Sequence, residues 1–269
     1  MVDRIAQALA FDRGVRRRGA RRVIELAEGI VVRDDELPAL HHLNAMLLDA
    51  PLPEALRDAG ALVRFADQHL AGLGHRHVVL DDIGAAERLA PALLEAGWTR
   101  QRVVFMHRVR EPDRAPRAGL TRRLDELQAR ALQFAITAEE ASHGQGVHGA
   151  VVAAVVRQLV AGQEAMRTGT TSIVFGADEQ GVLASSCTLF VCPPGRIAMI
   201  EEVGTLAAHR ERGLARAVLG AAVDEAERLG CEEIIVPAEE DDWPQLLYLK
   251  LGFEPLARQV WFTLRNVGR

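Results

Sequence analysis

The 269-residue sequence holds one lysine (Lys250), one tyrosine (Tyr248) and three cysteines, Cys187, Cys192 and Cys231. Three thiols in so long a chain make neither a disulfide framework nor a metal-ligand spacing. On a shared strand Cys187 and Cys192 face opposite sides, and all three read as inert core thiols. No apolar run approaches the ~18 residues of a membrane helix. The opening Met-Val-Asp-Arg-Ile-Ala lacks a basic region followed by an apolar core and a cleavage site. The expectation is a soluble, cytoplasmic bacterial protein without a membrane partner. A formal charge of -5 supplies no global attraction for nucleic acid. One lysine among 32 basic residues points to a GC-rich genome and leaves a single side chain for self-acetylation. A hydrophobic content of 49% suffices for one large core or two small ones.

What is present centres on Glu201 to Arg216. Ile197 to Leu206 suits an extended strand, and from Leu214 apolar residues fall at 214, 218, 221, 222, 226 and 229, the spacing of one helix face. At the junction stands Arg210-Glu211-Arg212-Gly213-Leu214-Ala215. A strand entering a glycine turn that opens a helix leaves backbone N–H groups unpaired, and the helix dipole there favours negative charge. His209, Arg210, Arg212 and Arg216 add four potential cations, and Gly213 and Ala215 let a bulky anion approach. The expected ligand is a pyrophosphate. The loop is neither the Walker pattern nor the dinucleotide G-x-G-x-x-G, which disfavours both common nucleotide folds.

Arg210-x-x-Gly213-x-Ala215 resembles the acyl-CoA pyrophosphate signature of the GNAT N-acetyltransferase superfamily. A strand, Glu232 to Pro237, follows the helix, and Tyr248-Leu-Lys-Leu-Gly252-Phe253 resembles the superfamily's Tyr-x-x-x-Gly-Phe segment at the usual distance. The resemblance covers about Ser172 to Leu264 well and the rest of the chain loosely. It implies acetyl-CoA as co-substrate, seated on the loop residues Arg210, Glu211, Arg212, Gly213, Leu214, Ala215 and Arg216, with the pantetheine arm along Val203, Gly204 and Thr205. It also gives Tyr248 the proton-donor position. Thioester-to-amine transfer needs a neutral amine, an anchored thioester, a polarised carbonyl and a proton for the thiolate. A backbone N–H near Val203 serves the carbonyl; Glu201 and Glu202 compete as base, with a lean to Glu202. Asp241 and Asp242 replace an asparagine common in the family, and an ionised carboxylate donates no hydrogen bond. With Glu239 and Glu240 they offer attraction for a cationic amine instead.

An internal repeat runs through the chain. Val63 to Leu80 overlays without gaps on Leu219 to Val236 at an offset of 156, each reading helix, glycine cap, strand. Leu93 to Trp98 matches Tyr248 to Phe253, and Val103 to Phe105 matches Val260 to Phe262. The expected architecture is α/β, with two tandem GNAT-like domains at 1–110 and 111–269. Each is expected to be a central mixed, mostly antiparallel sheet flanked by helices. In the first copy Glu54, Arg57 and Ala59 replace Arg210, Gly213 and Ala215, and Leu93 replaces Tyr248, so that copy reads as degenerate.

The remaining features are weighed against plainer roles. Arg16, Arg17, Arg18, Arg21 and Arg22 suggest a nucleic-acid patch, but without interleaved aromatics they read as a solvated helix face. His41-His42 and His75-x-His77 lack a partnering cysteine or carboxylate cluster, so they read as packing or surface residues and no metal is expected. Arg110 to Gly119, with two prolines, is the linker candidate. Leu124 to Ala135 and Gly149 to Met166 read as helices joined near His143 and His148; Thr171 to Ala177 and Val182 to Val191 read as a hairpin. The predicted activity is acetyl transfer to a primary amine, on a small molecule or a peptide, within a ternary complex. The alternative is a non-catalytic acyl-CoA sensor. Monomer and homodimer both fit.

Overall fold

The computed structural model describes residues 2–117, 119–144, 150–168, 170–191 and 196–265. Its first elements are α1 (Val2–Gly19), β1 (Arg22–Leu26), β2 (Gly29–Arg33), β3 (Ala45–Leu48), α2 (Ala59–His69), β4 (His75–Leu80), α3 (Ile83–Glu95) and β5 (Thr99–Arg108). There follow β6 (Thr121–Arg123), α4 (Glu126–Gly144), α5 (Ala150–Thr168), β7 (Thr171–Glu179), β8 (Val182–Val191) and β9 (Ile197–Thr205). The last elements are α6 (Leu214–Arg228), β10 (Glu233–Glu239), α7 (Pro244–Lys250) and β11 (Phe253–Arg265). The series β1-β2-β3-α2-β4-α3-β5 recurs as β7-β8-β9-α6-β10-α7-β11, so the repeat in the sequence is a repeat of mixed α/β structure.

By internal contacts the chain forms two units, one of residues up to Phe105 with Ala238–Asp242 and Leu256 onward, the other of Met106–Pro237 and Trp243–Pro255. Sequence copies and compact units are therefore cut differently: most of β11 belongs to the first unit.

In the first unit the strands run in the order β1-β2-β3-β4-β11-β5. The pairing β3–β4 is parallel and β4–β11 antiparallel. Fully buried alternate residues such as Met46, Leu48, Val78 and Leu80 meet Leu62, Ala66 and Leu89 of α2 and α3 in one apolar cluster. Both helices start on an aspartate whose side chain accepts a backbone N–H, Asp58 from Ala61 and Asp82 from Ala85, each at 2.9 Å. Arg17, Arg18, Arg21 and Arg22 are exposed, as the expected solvated face requires, and Arg16 departs from it. Arg16 is buried, holds both Asp12 carboxylate oxygens at 3.1 Å and stacks 4.9 Å from the Trp261 ring. Arg17 pairs with Glu25 and Arg21 with Glu36. Buried Arg16 is held by the Asp12 carboxylate and the Trp261 ring, while the pairs of Arg17 and Arg21 are exposed.

In the second unit the order is β10-β9-β8-β7-β6, antiparallel except for β9–β10. Cys187 donates its thiol to Val218 O of α6, while a Cβ on Gly204 would lie 2.6 Å from Ile136 of α4, so α6 and α4 cover opposite faces. Gly252, in the Tyr-x-x-x-Gly-Phe segment, has φ +87°, and a Cβ there would stand 1.9 Å from Arg110 O. Only glycine admits that approach. The linker lies along α6: Asp113 N donates to Lys250 O at 2.8 Å, and Pro116 fills the space above Gly220.

Candidate functional site

The site forms where β9 leaves β10. The two strands pair at Ile197–Glu233, Ala198–Ile234 and Met199–Ile235, and no further. Strand β9 continues to Thr205 and β10 to Glu239, so from Ile200 onward β9 keeps its pairing with β8 and, among the described residues, has none with β10. The strand edge toward β10 is thus unpaired along Val203, Gly204 and Thr205, with Gly204 O accepting from Ser185 Oγ and Thr205 O from Arg210 Nε. The equivalent pair in the first unit stays closed. There β3 and β4 pair through Leu48–Leu80, and Asp81 N adds a bond to Leu48 O at 3.2 Å.

The local cause is a bulge. Register between β8 and β9 shifts between Ser186 and Thr188, and Glu202 takes φ +56°, a conformation uncommon outside glycine. The bulge bends the strand away from its neighbour and breaks strict alternation at Glu201 and Glu202. The Glu202 carboxylate, 5% exposed, accepts from Thr188 Oγ1 at 2.5 Å, Gln133 Nε2 at 2.7 Å and Arg167 Nη1 at 3.1 Å. Burial pushes its pKa up, and Arg167, Thr188 and Gln133 partly offset that.

At the far end of β9 the loop is shaped by two left-handed residues, Glu211 at φ +64° and Gly213 at φ +80°. Gly213 opens α6, and nothing lies within 4 Å of where its Cβ would stand. Among the described residues, the N–H groups of 211–216 find no protein acceptor. Unpaired donors at a helix start favour negative charge there.

The cations do not crowd that helix start as the sequence suggests. His209 Nδ1 and Arg212 Nη1 both meet Glu179 Oε2, at 3.1 and 2.9 Å. The His209 hydrogen bond, against a smaller opposing effect of burial and with help from Arg212, holds the Glu179 carboxyl below its usual range. Arg210 donates Nε to Thr205 O at 3.1 Å, joining the loop to the end of β9. Arg216 is buried and gives Nη1 to Asp113 Oδ1 at 2.6 Å and Arg114 O at 3.3 Å. Its guanidinium serves the linker, because Arg216 lies on the buried side of α6.

Tyr248 is buried on α7, its ring 6.3 Å from that of Phe253. Glu201 is half-buried, next to Glu202. Gln133, Arg167, Thr188, Glu179 and Asp113 escaped the sequence reading. Gln133 alone left a signal, as a polar residue within the apolar run Ala131 to Ile136. His148 and Cys192 lie outside the described residues, as does the side chain of His143. Cys187 and Cys231 are free and buried, and among the described residues no cluster of three or more ligating side chains is placed to hold a metal. No helix among them is long and apolar enough to cross a membrane.

Residues 139–253 match the Acetyltransferase (GNAT) family. The matched segment includes the bulge, the Gly213 loop, β10 and the Tyr248 helix. No curated protein matches the sequence. Two solved structures share the fold over nearly the whole chain. A GCN5-related N-acetyltransferase from Kribbella flavida is 19% identical, with 98% of this chain and 95% of that chain covered and a TM-score of 0.60. A conserved protein of unknown function from Staphylococcus epidermidis is 10% identical, with 92% and 95% covered and a TM-score of 0.69.

Proposed function

We propose that the protein transfers an acetyl group from acetyl-CoA to a primary amine, the second copy carrying the chemistry. The observation that carries this reading is the unpaired edge beyond Met199 together with the N–H groups of 211–216. An unpaired strand edge leading to unpaired backbone donors suits an extended molecule with a pyrophosphate at one end. The family match over the same residues supports it. Acetyl-CoA supplies the acyl thioester when bound.

The chain's own residues do the rest. The donors of 211–216 hold the pyrophosphate, with Gly213 keeping the backbone open to it. The free edge of β9 at Val203, Gly204 and Thr205 orients the arm, and a backbone N–H near Val203 polarises the carbonyl. Glu202 takes the proton from the amine and Tyr248 returns one to the leaving sulfur. Burial favours a glutamate pKa nearer neutrality, where a base works best. The closed β3–β4 pair gives the first copy no such edge, which supports a structural role for it.

A thiol-release assay with acetyl-CoA and a panel of amino acids, diamines and short peptides tests the reading. Steady release dependent on one amine is the expected result. Tight acetyl-CoA binding without release from any amine contradicts it and leaves the sensor.

A further inference from the structure

Glu202 is held by one oxygen. Its Oε2 takes all three donors, Thr188 Oγ1 from β8, Gln133 Nε2 from α4 and Arg167 Nη1 from α5. Its Oε1 is buried and accepts nothing. A carboxylate offers both oxygens to donors, and a buried acceptor left empty needs a reason. The arrangement is rigid, since Arg167 Nη1 also donates to Gln133 Oε1 at 2.9 Å and so turns the amide NH2 toward the glutamate. The backbone at Glu202 is itself in an unusual conformation, at the residue where β9 stands clear of β10. Such conformations persist where the surroundings over-determine them.

We infer that Thr188, Gln133 and Arg167 are positioning residues that occupy Oε2 of Glu202 and reserve Oε1 for the proton of the acceptor amine. The inference rests on the transfer reaction proposed above. In that reaction the amine nitrogen bonds to the acyl carbon and the carbon–sulfur bond breaks. The proton leaving nitrogen goes to Oε1, directly or through one water, and the Tyr248 hydroxyl proton goes to sulfur. Solvent then returns the proton from Glu202 to Tyr248. The competing account is a buried ion pair that merely fastens α4 and α5 to the sheet. It predicts effects on stability alone.

The groups that set the charge on Glu202 are few. Arg167 favours the carboxylate. Cys187, on β8, has its thiol pushed up by burial and by Glu202, and stays neutral across an assay range. Each donor to Oε2 stabilises the charged form. Removing one therefore raises the pH at which the base becomes available.

The test uses Thr188→Val, which keeps shape and removes the hydroxyl, Thr188→Ser, which restores it, and Arg167→Met. The readouts are acetyl-CoA affinity by calorimetry and the pH profile of kcat/KM with the best amine of the panel. The acid limb should move up by about one pH unit in Thr188→Val and at least as far in Arg167→Met, a tenfold loss at a fixed pH on that limb. Thr188→Ser should return it, with acetyl-CoA affinity unchanged throughout. Glu202→Gln should lose the limb and ~10²-fold or more in kcat. Normal transfer with unmoved limbs in Thr188→Val and Arg167→Met overturns the inference alone. A wild-type protein that binds acetyl-CoA and transfers to no amine overturns the transfer reaction and the inference together.

Discussion

Arg216 and Asp113 stand 103 positions apart in sequence and 2.6 Å apart at Nη1 and Oδ1. The pair ties the segment between the two sequence copies to α6. It also withdraws a guanidinium from the loop that the same helix opens. Burial by itself pushes the Asp113 carboxyl up, and the hydrogen bonds and charges of Arg216 and Arg114 together more than offset it.

Arg216→Met should accordingly leave acetyl-CoA affinity within about threefold of wild type, since a lost phosphate contact typically costs more than that for a charge-assisted bond. The thermal midpoint should fall, by roughly 2–4 °C for each kcal/mol lost in a chain of this size. Calorimetry and a thermal scan on one preparation check both. A tenfold loss of affinity with an unchanged midpoint would return Arg216 to the pyrophosphate.

Tyr248 lies buried against Phe253, so Tyr248→Phe removes one oxygen from a packed site. As the proton donor it should lower kcat by ~10²-fold or more while acetyl-CoA affinity holds. Steady-state kinetics with the best amine decide this. Unchanged kcat would make Tyr248 a packing residue.

The first unit should lose stability in mild acid. His41, His42, His75 and His77 gather near Arg16, with ring centroids 4.2 Å apart for His41–His75 and 5.7 Å for His41–His77. Burial, then neighbouring charge, lowers His42 to about 3 and His41 to about 4 and lowers His77 too; burial also lowers His75, against an opposing hydrogen bond to Asn44 O. The unfolded chain titrates these groups near 6.5, so below that pH it binds more protons than the folded chain. Their contribution is complete above pH 6.5 and is lost as pH falls toward 4 and then 3. The urea midpoint should drop between pH 6.5 and 4.5, above most of the carboxylate window, and His42→Gln should flatten that drop. A midpoint constant over this interval would contradict the burial of neutral imidazoles.

Much of this architecture was legible because it is local or periodic. The offset of 156 ties α2 and β4 to α6 and β10 through spacing, and Gly213 and Gly252 sit where left-handed backbone and close approach require glycine. Strands β7 and β8 and helix α6 follow hydrophobic period. What stayed hidden depends on partners distant in sequence. Arg212 meets Glu179 and Glu202 meets Gln133 and Arg167 across gaps of 33, 69 and 35 residues. Charge counted along the chain therefore overstated the positive field at the loop. The same holds for Arg16, read as solvated and found buried between Asp12 and Trp261. Helix α4 runs past Ala135 to Gly144, over a stretch of sequence with no clear apolar period. The assignment of β11 largely to the first unit follows from its pairing with β4, which no local pattern encodes.

The most direct test of the account is calorimetric titration of acetyl-CoA into the wild-type protein and into Gly213→Glu. The substitution puts a side chain and a negative charge into the open space above the loop, at a residue whose φ is +80°. Micromolar binding by the wild type that vanishes in a folded Gly213→Glu protein is the predicted result. A wild type that does not bind, or a variant that binds equally well, would contradict the central claim that this loop seats the pyrophosphate of an acyl-CoA.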